Sequence, residues 1–210
     1  MRSIGLACVA AAAVCTSPAA SAAATLASDK PCYLEGESAT LAGEGYAANA
    51  PISFTFDGSA AGEQPSDAAG RVFAGFTAPE IGAAKVRHYT VTAADRAGNT
   101  GTTTFAVTSR EMDIRPNSAP PRRIVRFSVR GMTPGHTLFA HYVLRGRERA
   151  RVRLGVAGGP CGTLVTRARF FPQRSVPTGN WTIQVDHRRR WSRGAKPKTR
   201  FPVRVFRVSG

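Results

Sequence analysis

The chain has 210 residues, with 29 Lys+Arg against 13 Asp+Glu and a formal net charge of +16. A hydrophobic content of 42% is enough for a packed core, which excludes a disordered polycation. The 21 Gly and 14 Pro follow no period, which excludes collagen, and no charge-free apolar run reaches the roughly 18 residues of a membrane-spanning helix.

Residues 1–24 read as a cleaved signal peptide. Arg2 supplies the positive start, and Ile4 to Val14 form an apolar stretch of eleven residues. Ala20-Ser21-Ala22 and Ala22-Ala23-Ala24 each fit a small-x-small cleavage rule. Eleven residues cover about half a bilayer at 1.5 Å per residue, so a membrane anchor is not expected. Cleavage removes Cys8 and Cys15 and leaves Cys32 and Cys161. Outside the cytosol these two form either a single disulfide or two separate buried thiols. A disulfide closing a loop this long stabilises by about 4–5 kcal/mol in the chain-entropy treatment. Neither cysteine has a partner at metal-ligand spacing, so no metal and no cofactor is expected.

Residues 25–110 read as an acidic β-sandwich. From Ala24 to Ser109 there are five basic and nine acidic residues, a net of −4. Short β-type runs at Ser38–Gly43, Ile52–Phe56 and Arg71–Phe76 are punctuated by Asp57-Gly58 and Asp67-Ala68-Ala69-Gly70. The run Arg87–Ala93 alternates, with Tyr89, Val91 and Ala93 on one face, and Thr102–Thr108 returns with Phe105 and Val107 inward. Between them lies the turn Asp95-Arg96-Ala97-Gly98-Asn99.

The stretch from Tyr89 to Val107 resembles the closing hairpin of bacterial immunoglobulin-like domains of secreted proteins, in which a T-V-T-A-x-D-x-A-G-N segment joins the last two strands. The opening Cys32–Glu37 and the turn at Gly43–Tyr46 resemble the first strands of such domains. The resemblance covers about 80 residues. It implies an extracellular spacer or binding module and brings no catalytic residue with it.

Residues 111–121, ending in Arg115-Pro116-Asn117-Ser118-Ala119-Pro120-Pro121, read as a Pro-rich linker. Residues 122–210 then read as a second, arginine-rich β-sandwich. Gly131-Met132-Thr133-Pro134-Gly135 echoes the earlier turn Gly45-Tyr46-Ala47-Ala48-Asn49. The fold class expected is therefore all-β, with two tandem immunoglobulin-like sandwiches after a signal peptide.

From Arg110 to Gly210 there are 23 basic and four acidic residues, a net of +19. The arginines alternate with apolar residues. Arg126 and Arg130 oppose Val125, Phe127 and Val129, and Arg149, Arg151 and Arg153 interleave with Ala150, Val152 and Leu154. Arg167 and Arg169 flank Ala168, while Arg200 and Arg204 flank Val203. In a strand this period of two places guanidiniums on one face and core groups on the other. Like charges at cross-strand spacing repel, so the face calls for counter-anions. A second basic cluster, Arg188, Arg189, Arg190, Trp191, Arg193, Lys196 and Lys198, forms a loop after the strand Trp181–Asp186. Trp191 in it either stacks on a ligand or closes the core, and core packing is the expected role.

Catalysis finds no support in the residues. His136 and His141 are poor co-ligands at a spacing of five, and His88 and His187 lie elsewhere. Gly158-Gly159-Pro160-Cys161-Gly162 fits a tight turn, and Glu148 and Asp186 do not form an evident acid–base pair. The reading is a non-catalytic protein, secreted or held at the cell envelope. Its partners would be an anionic cell-wall polymer or acidic polysaccharide, with extracellular nucleic acid a further candidate. The alternatives are a self-associating structural or adhesive envelope protein, suggested by the opposite charges of the halves, and an accessory subunit or unrecognised hydrolase.

Overall fold

The computed structural model describes residues 23–206, so all but the last two residues of the expected signal peptide lie outside the described residues, and Ala24 is buried in the first core. The described chain is all-β, with no helix, and its strands build four sheets.

The first half contains β1 (Thr25–Ser28), β2 (Cys32–Leu34), β3 (Ser38–Glu44), β4 (Pro51–Phe56), β5 (Ser59–Pro65), β6 (Val72–Thr77), β7 (Val86–Ala94) and β8 (Thr100–Thr108). A three-stranded sheet of order β1-β3-β6 faces a five-stranded sheet of order β2-β8-β7-β4-β5. The alternating positions behave as a period of two requires: Tyr89, Val91, Ala93, Phe105 and Val107 are all buried. They join Tyr33, Leu41, Ile52 and Val72 in one core. Asp57 and Gly58 both have positive φ, the geometry of a two-residue hairpin turn, and they join β4 to β5.

The D-x-A-G-N turn is held by one carboxylate. Asp95 accepts from the Asn99 backbone N–H at 2.9 Å, the Asn99 amide at 2.7 Å and the Ala47 N–H at 2.8 Å. It thereby fastens the β7–β8 turn to the β3–β4 turn. These bonds, led by the Asn99 amide, keep its carboxyl below the ordinary 3.8.

The second half contains β9 (Glu111–Arg115), β10 (Ile124–Arg130), β11 (Thr137–Leu144), β12 (Arg147–Val156), β13 (Leu164–Arg169), β14 (Gly179–Asp186) and β15 (Lys198–Val205). Its sheets run β13-β10-β9 and β12-β11-β14-β15. This is the order of the first half again: β9-β10-β13 repeats β1-β3-β6, and β15-β14-β11-β12 repeats β8-β7-β4-β5. Only β2, which lies parallel to β8, has no counterpart. The second core gathers Phe127, Ile114, Leu138, Tyr142, Phe171, Trp181 and Ile183, each at most 2% exposed.

The two glycine turns match in detail. The Tyr46 N–H donates to Gly70, and the Met132 N–H donates to Gly162. Gly70 and Gly162 have φ of +72° and +57°, and a Cβ there would lie 2.1 Å from the Tyr46 carbonyl oxygen and 1.6 Å from that of Met132. Only glycine admits both the left-handed backbone and that approach.

The stretch 111–121 differs from the linker expected. Glu111–Arg115 is β9, paired with β10, and its Met112 and Ile114 are in the second core. The Pro-rich residues 116–121 alone lie outside strands in that stretch. The alternation Met112/Ile114 against Glu111/Asp113/Arg115 is a strand signal in its own right.

Cys32 and Cys161 form a disulfide, with Cα atoms 5.3 Å apart across 129 residues of sequence. It joins β2 of the first half to the turn between β12 and β13. Around it the halves meet closely. Arg110 Nε donates to the Gly131 carbonyl oxygen at 3.0 Å, and a Cβ on Gly131 would lie 2.8 Å from the Arg110 Cα and 2.9 Å from Leu34 Cδ2. The first half thus covers one end of the second. Among the described residues no helix is long and apolar enough to cross a membrane.

Candidate polyanion-binding faces

The predicted basic residues fall on two different faces of the second sandwich. Arg126, Arg167 and Arg169 stand exposed on the outer face of the sheet β13-β10-β9. Arg126 is paired in register with Arg167 on one side and with Arg115 on the other. Arg115 joins them from the stretch 111–121, where a linker is expected and no site residue. It bonds Asp113 at 2.6 Å.

Arg130 does not belong to this surface. It shares the face of Arg126, but the first half covers that end of the sheet and leaves it only 6% exposed. Its guanidinium is paired with Glu111, and its Nε donates to Ser109 Oγ at 3.4 Å. Arg130 therefore holds the two halves together and is unavailable to a ligand.

Arg149, Arg151 and Arg153 are exposed on β12, the edge strand of the four-stranded sheet. Here the outward face is covered. The segment after β14 folds back across it, and the polar residues beneath become buried. His141 and Asp186 are 0% exposed and Gln184 is 1% exposed.

These residues satisfy one another and the covering backbone. His141 Nδ1 lies 2.8 Å from Glu148 Oε1, and its Nε2 lies 3.1 Å from the Arg188 carbonyl oxygen and 3.4 Å from Asp186 Oδ1. Both ring nitrogens thus face acceptors, which suits an imidazolium donating from each. Asp186 also accepts from Gln184 Nε2 and from the Arg188 N–H, each at 2.7 Å. Gln184 Nε2 reaches the Ser192 carbonyl at 2.9 Å, and Arg200 Nε donates to Gln184 Oε1 at 3.2 Å. Burial lowers the pKa of His141, but the bonds and charges of Asp186 and Glu148 outweigh it and hold it above the ordinary 6.5. Burial likewise pushes Asp186 up, yet His141, Gln184 and the Arg188 N–H outweigh it and keep it below 3.8.

Cations of the flanking strands β12 and β15 hold this cover in place. Arg151 donates to the Arg189 carbonyl, Lys198 to the Arg193 carbonyl, and Arg200 to the same oxygen at 3.3 Å. The side chains of Arg188, Arg189, Arg190, Arg193 and Lys196 stay exposed. Trp191 differs from the core role expected of it. It is half-buried outside the core, lining a cavity of about 170 Å³ with Val143, Thr182, Gln184 and Arg200. Trp181 fills the core instead, 2% exposed, with its indole N–H on the Pro177 carbonyl at 2.9 Å.

The histidines expected to be structural include the buried His141, whereas the His136 ring packs edge-on to His187 at 5.5 Å. The sequence did not reveal the pairing of Glu148 and Asp186 on either side of His141. The residues lie on three strands, and by the period of two Glu148 falls on the core side with Ala150 and Val152; a register shift between Tyr142 and Val143 sets it opposite Val143 instead, so no spacing signals the contact. Among the described residues no group of three or more His, Cys, Asp or Glu is placed to hold a metal ion.

No protein-family model matches the chain, and no curated protein matches it. Several solved structures are similar to it. A tetra-tandem repeat from the extending region of a large adhesion protein is 16% identical, covering 88% of this chain and 49% of that one, with a TM-score of 0.30. A 1.5-MDa bacterial ice-binding adhesin is 15% identical, covering 88% and 64%, with a TM-score of 0.34. An alpha-2-macroglobulin from Salmonella is 15% identical, covering 89% and 15%, with a TM-score of 0.31. The chain spans less than two thirds of the length of each.

Proposed function

We propose that this is a non-catalytic protein, secreted or held at the cell envelope, whose second sandwich binds an anionic polymer or surface. The observation that carries the reading is the exposed arginine row on the sheet β13-β10-β9, in a half with 23 basic and four acidic residues. Like charges directly opposite one another destabilise a sheet, so such a row is favoured when anions lie over it. Guanidinium forks suit phosphate and carboxylate oxygens. The disulfide supports an oxidising compartment outside the cytosol. The first sandwich, with a net charge of −4, serves as spacer and shields one end of the basic domain.

The test is retention of the purified chain on immobilised phosphate polymer, polygalacturonate and duplex DNA at 150 mM salt, followed by a salt gradient. Retention on at least one polymer, with elution at higher salt, is the expected result. Flow-through on all three overturns the reading. Concentration-dependent mass in low-salt ultracentrifugation, in a chain that ignores all three polymers, indicates self-association through the oppositely charged halves instead.

A further inference from the structure

The strand register sets Arg115, Arg126 and Arg167 side by side across three strands. Neighbouring strands lie about 4.8 Å apart, so the row spans about 10 Å, perpendicular to the chain direction. Arg169 stands one rung along, opposite Ile124. Arg126, Arg167 and Arg169 pair with no carboxylate among the described residues, and all three are exposed. On the other side the rung ends in Asp113, Ser128 and Val165, with Asp113 turned to Arg115.

The chemistry of the surroundings narrows the ligand. Among the described residues no aromatic ring lies on this outer face, whose apolar groups are the half-exposed aliphatic side chains of Ile124 and Val165. Sugar rings and bases therefore find no stacking platform here, and a ligand is held through its charged groups. One guanidinium fork fills both oxygens of a planar carboxylate. A row of forks at strand spacing instead suits tetrahedral phosphates, whose several oxygens two neighbouring guanidiniums can share.

We infer that the Arg115–Arg126–Arg167 row is a phosphate-binding site for a linear phosphodiester polymer laid across the strands. The site rests on the polyanion reading above and assigns it to one face and one anion. The exposed cations of the 187–197 loop contribute general attraction, and the row supplies the anchor.

The experiment compares the full chain with two variants of equal charge, Arg115→Gln/Arg126→Gln/Arg167→Gln and Arg188→Gln/Arg189→Gln/Arg190→Gln. Urea melts first establish that both variants are folded. Affinities are then measured at 150 mM salt for poly(glycerol phosphate), for polygalacturonate of the same charge and for phosphatidylglycerol vesicles. The row variant is expected to bind poly(glycerol phosphate) at least tenfold more weakly, with its log K against log salt slope reduced by about 2–3. The loop variant is expected to stay within threefold, and polygalacturonate to bind the unmodified chain at least fivefold more weakly.

Equal losses in the two variants overturn the site while leaving the polyanion reading intact, because affinity then follows net charge alone. Polygalacturonate binding as tightly as the phosphate polymer overturns the phosphate assignment. Tighter binding to vesicles than to free polymer overturns the linear-polymer assignment in favour of a lipid surface. Absence of binding to all three probes by the unmodified chain removes the site and the polyanion reading together.

Discussion

The two outward faces of the second sandwich are written in the same alternation and end in opposite states. On β12 the run Arg149, Arg151, Arg153 alternates with core residues, as Arg167 and Arg169 do on β13. The sheet β13-β10-β9 leaves Arg126, Arg167 and Arg169 bare, beside an exposed Arg115 that bonds Asp113. The four-stranded sheet keeps its β12 arginines exposed at the edge, but its inner strands are roofed by the segment that follows β14, and beneath the roof His141, Gln184 and Asp186 are fully enclosed. Periodicity determines the side to which a residue points. Whether that side meets water is decided by distant chain.

The contrast is broken most severely at Asp186. Asp186→Ala leaves His141 as a buried cation with one carboxylate fewer and frees the Arg188 N–H and the Gln184 amide. Removing one partner of a buried pair costs about 3–5 kcal/mol. Urea unfolding should show that loss, and a change below about 1 kcal/mol would mean that the roofed face is not a structural unit.

The same network makes stability depend on pH at both ends. The folded pKa of His141 is raised, so its contribution is complete below 6.5 and is lost as pH rises through the higher folded value. The folded pKa of Asp186 is lowered, so its contribution is present above 3.8 and is lost as pH falls through the lower folded value. Stability from this pair is therefore greatest between 3.8 and 6.5. In His141→Gln the decline on the alkaline side should disappear from thermal melts recorded at pH 6 and pH 9. An unchanged alkaline decline would place its origin elsewhere.

Arg200 offers a gentler probe of the roof. Arg200→Ala removes the bonds to Gln184 and to the Arg193 carbonyl and should cost about 1–2 kcal/mol. On the bare face the expected effect is smallest. Arg126→Gln should change stability by no more than about 0.5 kcal/mol, since it buries nothing and relieves repulsion from Arg115 and Arg167. Added salt should stabilise the unmodified chain more than this variant. A loss above about 1 kcal/mol in Arg126→Gln would assign the row a structural role.

Much of the fold was legible because its core strands alternate cleanly. Tyr89, Val91, Ala93, Trp181, Ile183 and Val185 are buried as their spacing requires. β5 was invisible for the converse reason: all seven of its residues are exposed, so it carries no apolar period. β9 carries one, in Met112 and Ile114, but five residues followed by a Pro-rich stretch also resemble a connector.

The disulfide was half legible. The two cysteines that remain after the expected cleavage allow either a bond or two buried thiols, and only the fold brings β2 against the β12–β13 turn. At the candidate site, Arg126 and Arg167 were found by alternation, and Arg115 was lost along with β9. Arg130 misled because it does share the face of Arg126, and only the neighbouring sandwich buries it. Trp191 misled because it packs on the outside of a sheet, within a loop whose path no local pattern encodes.

The central claim is that the bare row binds the polymer and the roofed face does not. Side-chain Nε–H resonances of arginine report each guanidinium separately. On titration with poly(glycerol phosphate), those of Arg115, Arg126 and Arg167 should shift first and furthest, while those of Arg151 and Arg200 stay in place. Shifts spread evenly over the loop and the row, or confined to residues 188–193, would contradict the account.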